Sequence, residues 1–212
     1  MLILLRRLVL VCIIRPIAYL VIGFDVRGAE NLPRTGPAII AANHNSHVDT
    51  LLLLSLFRSR LLPRIRPVAA SDHFLTGGLA SWFYLNCVGI LPVNRRARGR
   101  EDVLAGCRDA LSSGDILLIF PEGTRGEPEQ MGALKTGIAR LAEAFPDCPV
   151  VPVYLQGAGR VLPRGSVIPV PFVCSAVIGD ALRWSGGRDT FMTGLRDALA
   201  ALKAEAPPLR WL

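Results

Sequence analysis

Short apolar runs alternate with longer amphipathic stretches along this chain, and most of the apolar runs stop at a turn or a polar cluster. Ala38 to Ala42, Pro67 to Ala70, Cys87 to Val93, Asp115 to Phe120, Val150 to Leu155 and Phe172 to Ile178 have the length and composition of buried strands. Residues 23 to 28 alternate and predict one more short strand. Between these lie stretches with apolar positions at helical spacing. They are Asp49 to Phe57, a segment capped by Ser71 or Asp72 and running to Tyr84, Glu101 to Ser112, Met131 to Phe145, and Thr190 to Ala204. In the last, Phe191, Leu195, Leu199 and Leu202 share a face. Gln156 to Gly165 reads as a Gly-rich basic loop containing Arg160 and Arg164. Strands alternating with helices predict an α/β protein of one domain, with a mixed or mostly parallel sheet covered by helices on both faces. The 212 residues suffice for its core, and no repeat or long linker divides them.

Residues 1 to 24 stand apart from residues 25 to 212, which form the domain proper. They are apolar but interrupted by Arg6, Arg7, Arg15 and Pro16. Neither Leu8 to Ile14 nor Pro16 to Phe24 reaches the roughly 20 apolar residues that span a bilayer. Arginines that snorkel would make this a helical membrane-attachment segment, peripheral or monotopic, on the cytoplasmic face. The alternative is a helix docked on the protein's own core.

Composition sharpens the choice of partners. Hydrophobic residues make up 51% of the chain, and 24 Lys and Arg against 17 Asp and Glu give a net charge of +7. Such a protein meets anions: a lipid surface, a phosphorylated substrate or an acidic carrier. Aromatics are scarce at 7% and no nucleic-acid motif is present, which argues against nucleic acid. The basic stretch Arg58, Arg60, Arg64 and Arg66 is either a solvated connection or a patch for anionic groups. Cys12, Cys87, Cys107, Cys148 and Cys174 are odd in number and lack C-x-x-C spacing, as expected of buried, reduced thiols in a cytosolic protein.

The densest chemistry is Asn43-His44-Asn45-Ser46-His47-Val48-Asp49, between two apolar runs. On one continuous helix His44 and Asp49 would lie about 140° apart, so the chain must turn if they are to meet. Imidazole ordinarily titrates near neutral pH, and a carboxylate on its second nitrogen fixes the tautomer and stabilises the imidazolium. No nucleophile elbow accompanies the pair, so the hydroxyl to be activated belongs to the substrate. His44, His47 and Asp49 could instead ligate a metal, as in a metal-dependent lipid hydrolase, but no fourth ligand group is evident. The general-base reading is preferred, with no metal or cofactor. His73 stands alone near a helix start and reads as structural. A second cluster, Glu122-Gly123-Thr124-Arg125, follows another strand. Gly allows close approach, Thr can donate, Arg grips phosphate bidentately, and Arg95 and Lys135 add charge. In parallel sheets ligands bind beyond the carboxyl ends of strands, where these clusters fall.

The ordered set N-H-x-x-x-x-D at 43 to 49, G-I-x-P-V-x-R at 89 to 95, F-P-E-G-T-R at 120 to 125 and V-P-V at 151 to 153 resembles the glycerolipid acyltransferase family. Within it the chain is similar to bacterial 1-acyl-sn-glycerol-3-phosphate acyltransferases. The resemblance implies acyl transfer from an acyl thioester, acyl-CoA or acyl carrier protein, to the free hydroxyl of a lysophospholipid, giving phosphatidic acid. Another lysolipid or glycerol 3-phosphate is the alternative acceptor. By position, it implies His44 as base, Asp49 as its orienting partner, and Arg95 and Arg125 on the acceptor phosphate. Glu122, Gly123 and Thr124 would shape that site, with Lys135 as a supporting contact. The chain departs from the family pattern at Gly126, where Ser is common, and at Asn94, where Asp is frequent.

Overall fold

In this computed structural model the structure describes residues 2–21, 23–46, 48–71, 77–94, 102–127, 130–161 and 172–209. Seven strands form one sheet: β1 (Asp25–Arg27), β2 (Ala38–Ala42), β3 (Ile65–Ala70), β4 (Leu91–Val93), β5 (Ile116–Ile119), β6 (Val150–Gln156) and β7 (Ser175–Ile178). Their order is β1-β7-β6-β2-β5-β3-β4. From β6 to β4 every neighbouring pair is parallel; β7 runs antiparallel to β6, and β1 pairs parallel with β7. The helices are α1 (Leu2–Leu8), α2 (Val48–Leu56), α3 (Gly78–Phe83), α4 (Ala105–Ser112), α5 (Gly137–Ala144), α6 (Ala158–Val161) and α7 (Arg188–Glu205). The expected single α/β domain with a mixed, mostly parallel sheet is therefore what forms.

The central strands read as unbroken apolar runs because both of their faces are covered. In β2, Ala38, Ile40 and Ala42 join a core shared with α2, α6 and the N-terminal segment. Ile39 and Ala41 join the opposite core, built with α4, α5 and α7. β2 and β5 are neighbours, but the chain leaves β2 for α2 on one face and leaves β5 towards α5 on the other. A crevice opens where adjacent strands send their connections to opposite faces.

Several elements differ from their expected extents. The strand expected over Cys87 to Val93 begins only at Leu91; Tyr84–Val88 instead continues α3 with the wider i→i+5 winding. Gly89, at φ +76°, ends that helix, and the Arg6 guanidinium fills the space its side chain would need. The helix expected from Met131 begins at Gly137. Before it, Gly132 and Lys135 donate their backbone N–H groups to Glu122 and to the Pro121 carbonyl instead of to a helical turn. The loop expected from Gln156 contains the short helix α6. His73 and Arg164 lie outside the described residues.

The N-terminal arginines correct the snorkelling expectation. Arg6 is buried and donates to the carbonyls of Ile65 (2.8 Å) and Val88 (2.9 Å). Burial, with help from Arg66, lowers its pKa to about 10. Arg15 donates to the carbonyls of Ser55, in the last turn of α2, and of Phe57, just past its end. Leu10 and Ala18 are buried in the same contact. The segment is thus docked on the core, while Ile3, Leu4, Leu8, Ile13, Ile17 and Leu20 stay exposed on its far side. No described helix is long and apolar enough to cross a membrane. Cys12 lies on that outward side and is exposed, unlike the other four cysteines, which are buried as expected.

Candidate active site

The polar loop after β2 is built by side chains that replace backbone pairing. Where β2 ends at Ala42, the Asn43 amide takes over its pairing with β6. Its Nδ2 donates to the Leu155 carbonyl (2.8 Å) and its Oδ1 accepts the Leu155 N–H (2.6 Å). The Asn45 amide donates to the same carbonyl (3.2 Å). The backbone between them can then leave the sheet and turn.

Asp49 enters the first turn of α2, fully buried. One oxygen, Oδ2, accepts from three donors: His44 Nδ1 (2.8 Å), the Asn45 N–H (2.7 Å) and the Ser46 N–H (2.7 Å). The turn required by the spacing is present, and the carboxylate both organises the loop and holds the imidazole. Charge-assisted bonds of this kind are the strong ones. Oδ1 is buried with no hydrogen-bond partner among the described residues. The His44 ring also stacks on Phe120, with centroids 4.0 Å apart and planes 16° from parallel. With Nδ1 held by the carboxylate, Nε2 is the nitrogen left to exchange a proton with a substrate.

The loop after β5 is stitched directly to this one. Glu122 is buried; its Oε1 accepts the His44 N–H (2.9 Å) and its Oε2 the Gly132 N–H (2.7 Å). The Gly126 N–H returns a bond to the His44 carbonyl (2.9 Å). One carboxylate oxygen thus braces the backbone at His44 and the other the backbone at Gly132. Gly123, at φ +74°, turns the loop, and the Lys135 side chain lies so close that a Cβ at 123 would sit 2.8 Å from Nζ. Lys135 and Thr124 are exposed, and Arg125 is half-buried on the same loop. At Gly126 a Cβ would crowd the Gln130 carbonyl at 3.0 Å, so the loop is packed for glycine there. Of the residues expected at the site, His44, Asp49, Glu122, Gly123, Thr124, Arg125 and Lys135 are carried on two bonded loops and the segment that returns to them. Arg95 and His47 lie outside the described residues.

Sequence reasoning assigned no role to Asn43, Asn45 or Phe120. Two amides flanking a histidine at the end of an apolar strand are a signal that the amides finish the ladder. The stack of Phe120 under His44 depends on β2–β5 adjacency and leaves no trace in local pattern. Beside Phe120 an apolar cleft, lined by Val68, Leu104, Cys107 and Leu141 among others, opens between the sheet, α4 and α5 with Lys135 on its wall. Cys107 is the thiol in that cleft, and burial pushes its pKa up to about 11, so it stays protonated near neutral pH and is a poor nucleophile.

An imidazole held by a buried carboxylate thus stands at a switch-point crevice bordered by Lys and Arg. The Acyltransferase family profile matches residues 23–156. The chain belongs to the Acyltransferase family. A chloroplastic 1-acyl-sn-glycerol-3-phosphate acyltransferase of Brassica napus is 33% identical over 144 residues, covering 67% of this chain and 40% of that protein. A 1-acyl-sn-glycerol-3-phosphate acyltransferase of Chlamydomonas reinhardtii is 33% identical over 181 residues, covering 82% of this chain and 51% of that protein. This chain therefore spans about half or less of the length of such relatives. Among solved structures, the 1-acyl-sn-glycerophosphate (LPA) acyltransferase PlsC of Thermotoga maritima superposes with a TM-score of 0.67. The match covers 94% of this chain and 82% of that one at 22% identity, a likeness of fold.

Proposed function

We propose that the protein transfers an acyl group from an acyl thioester, acyl-CoA or acyl carrier protein, to the free hydroxyl of 1-acyl-sn-glycerol 3-phosphate, forming phosphatidic acid. The observation that carries this reading is the His44 Nδ1 to Asp49 Oδ2 bond of 2.8 Å, which leaves Nε2 for the acceptor hydroxyl. Nε2 removes the hydroxyl proton as the oxygen attacks the thioester carbonyl. The tetrahedral intermediate collapses, the C–S bond breaks, and the thiolate takes up the proton held by the imidazolium. Asp49 stabilises that imidazolium. A thioester is already activated, so the step calls for neither acyl-enzyme nor cofactor.

Arg125 and Arg95 would hold the acceptor phosphate, with Lys135 beside them and Thr124 as a donor. Glu122 and Gly123 set the shape of the loop. The apolar cleft beside Phe120 offers acyl-chain surroundings next to the imidazole. Residues 1–24 would rest on the cytoplasmic face of a membrane through their exposed Leu and Ile side chains, with residues 25–212 as the acyltransferase domain. The names of the relatives support this acceptor.

The test is acyl transfer by purified protein over a panel of lysophospholipids, glycerol 3-phosphate, labelled acyl-CoA and labelled acyl carrier protein. Phosphatidic acid from 1-acyl-sn-glycerol 3-phosphate is expected. His44→Ala should lower turnover by at least about a hundredfold, the usual range for a general base, without changing thermal unfolding. Wild-type-like turnover by that variant would end the mechanism.

A further inference from the structure

The basic stretch after α2 divides in two in the folded chain. Arg66 pairs with Asp115 (2.9 Å), and Arg64 donates to the Ser113 carbonyl (3.4 Å). Arg58 and Arg60 are exposed, and their side chains form no hydrogen bond or ion pair among the described residues. They share a cleft with Arg34, exposed and equally unpaired. Leu32, Leu56 and Leu61 give the cleft an apolar lining, and Glu30 is its one acid, so three guanidinium groups stand against one carboxylate.

The cleft adjoins the carboxyl end of α2, where free carbonyls would repel an anion. Arg15 offsets this by donating to the carbonyls of Ser55 and Phe57. The same contact sets the N-terminal segment against the residue immediately before Arg58. The unpaired arginines stand beside the cleft's own half-buried leucines, Leu32, Leu56 and Leu61, a pairing of cationic and aliphatic groups suited to a lipid. From Asp49 to Phe57 the helix runs about 12 Å, so the cleft lies at the end of the sheet opposite His44.

We propose that Arg34, Arg58 and Arg60 bind the phosphate of an anionic membrane phospholipid at a site separate from the acceptor site. The half-buried leucines of the cleft select a lipid as occupant, since a free anion would leave them in water. The inference rests on the membrane-attachment reading given above.

Flotation with vesicles of phosphatidylcholine, alone or with a third of it replaced by phosphatidylglycerol, tests both. The protein should bind both vesicles and prefer the anionic ones. Arg58→Ala with Arg60→Ala should weaken binding to the anionic vesicles about thirtyfold, at ~1 kcal/mol for each basic residue, and leave binding to neutral vesicles unchanged. Arg58→Lys with Arg60→Lys should keep most of the preference, and thermal unfolding should not move in either variant. Equal binding of the double alanine variant and the parent to anionic vesicles would overturn the head-group site while leaving membrane attachment standing. Displacement from vesicles by inorganic phosphate at the same concentration as the anionic lipid would reassign the cleft to free anions. Reduced turnover with acyl carrier protein, at unchanged vesicle binding, would reassign it to an acidic protein. Failure of the parent to bind either vesicle would remove the attachment reading, and the site with it.

Discussion

At the scale of single residues, Asp49 has two tasks that can be separated. Its Oδ2 holds the loop backbone through Asn45 and Ser46 and holds His44 through Nδ1. An amide oxygen in the place of Oδ2 can still accept all three bonds, but it carries no charge to stabilise the imidazolium. Asp49→Asn is expected to lower kcat by about 10²-fold or more, within the range of general-base help, with little change in KM, measured by steady-state acyl transfer. Gly123 is a second point where one residue sets geometry. Alanine there must adopt φ +74° and push Lys135 aside. Gly123→Ala should cost about 1–2 kcal/mol in urea unfolding, the usual penalty for a left-handed residue, and raise KM for the phosphorylated acceptor.

At the scale of elements, the N-terminal segment is a clamp. Arg6 ties it to the start of β3 and to the turn that leads into β4. Arg15 ties it to the end of α2, the helix that carries Asp49 at its other end. Removing Arg6 takes a charged donor from two carbonyls and leaves a space beside Gly89. Arg6→Ala is expected to destabilise the fold by about 2–5 kcal/mol, read as a shift of the urea midpoint. The Glu122 loop works in the same way. It is held by bonds to His44 and Gly132, so the segment before α5 cannot be helical.

At the scale of the whole molecule, exposed large apolar side chains are concentrated rather than scattered. Among the described residues, all except Val103 lie in the N-terminal segment or at Leu79 and Trp82 of α3. The N-terminal helix α1 packs along the continuation of α3, so the two regions adjoin. A concentration of this kind on a basic protein marks an interaction surface. Leu8→Glu with Leu20→Glu should release the protein from vesicles of either lipid composition while leaving thermal unfolding in place, because both side chains are exposed.

What was legible in sequence was local. Ala38 to Ala42 reads as a strand because every side chain is apolar, and Thr190 to Ala204 as a helix because its apolar face repeats. The His44–Asp49 turn follows from spacing alone, since no continuous helix could bring the two together. The Glu-Gly-Thr-Arg loop follows from residue chemistry at the end of a strand. Other features rest on contacts between distant segments. Cys87 and Val88 have the composition of a strand but are wound into a helix that ends where Arg6 fills the space beside Gly89. Met131 to Lys135 have helical character but give their amides to a loop across the crevice. Arg6 and Arg15 are suited to snorkelling but find unpaired carbonyls to bond. Phe120 lies under His44 only because β5 inserts beside β2, an order of strands that no local pattern encodes. Periodicity and residue type act over a few positions, whereas the partner of a buried polar group is chosen by whichever segment the fold brings within hydrogen-bond reach.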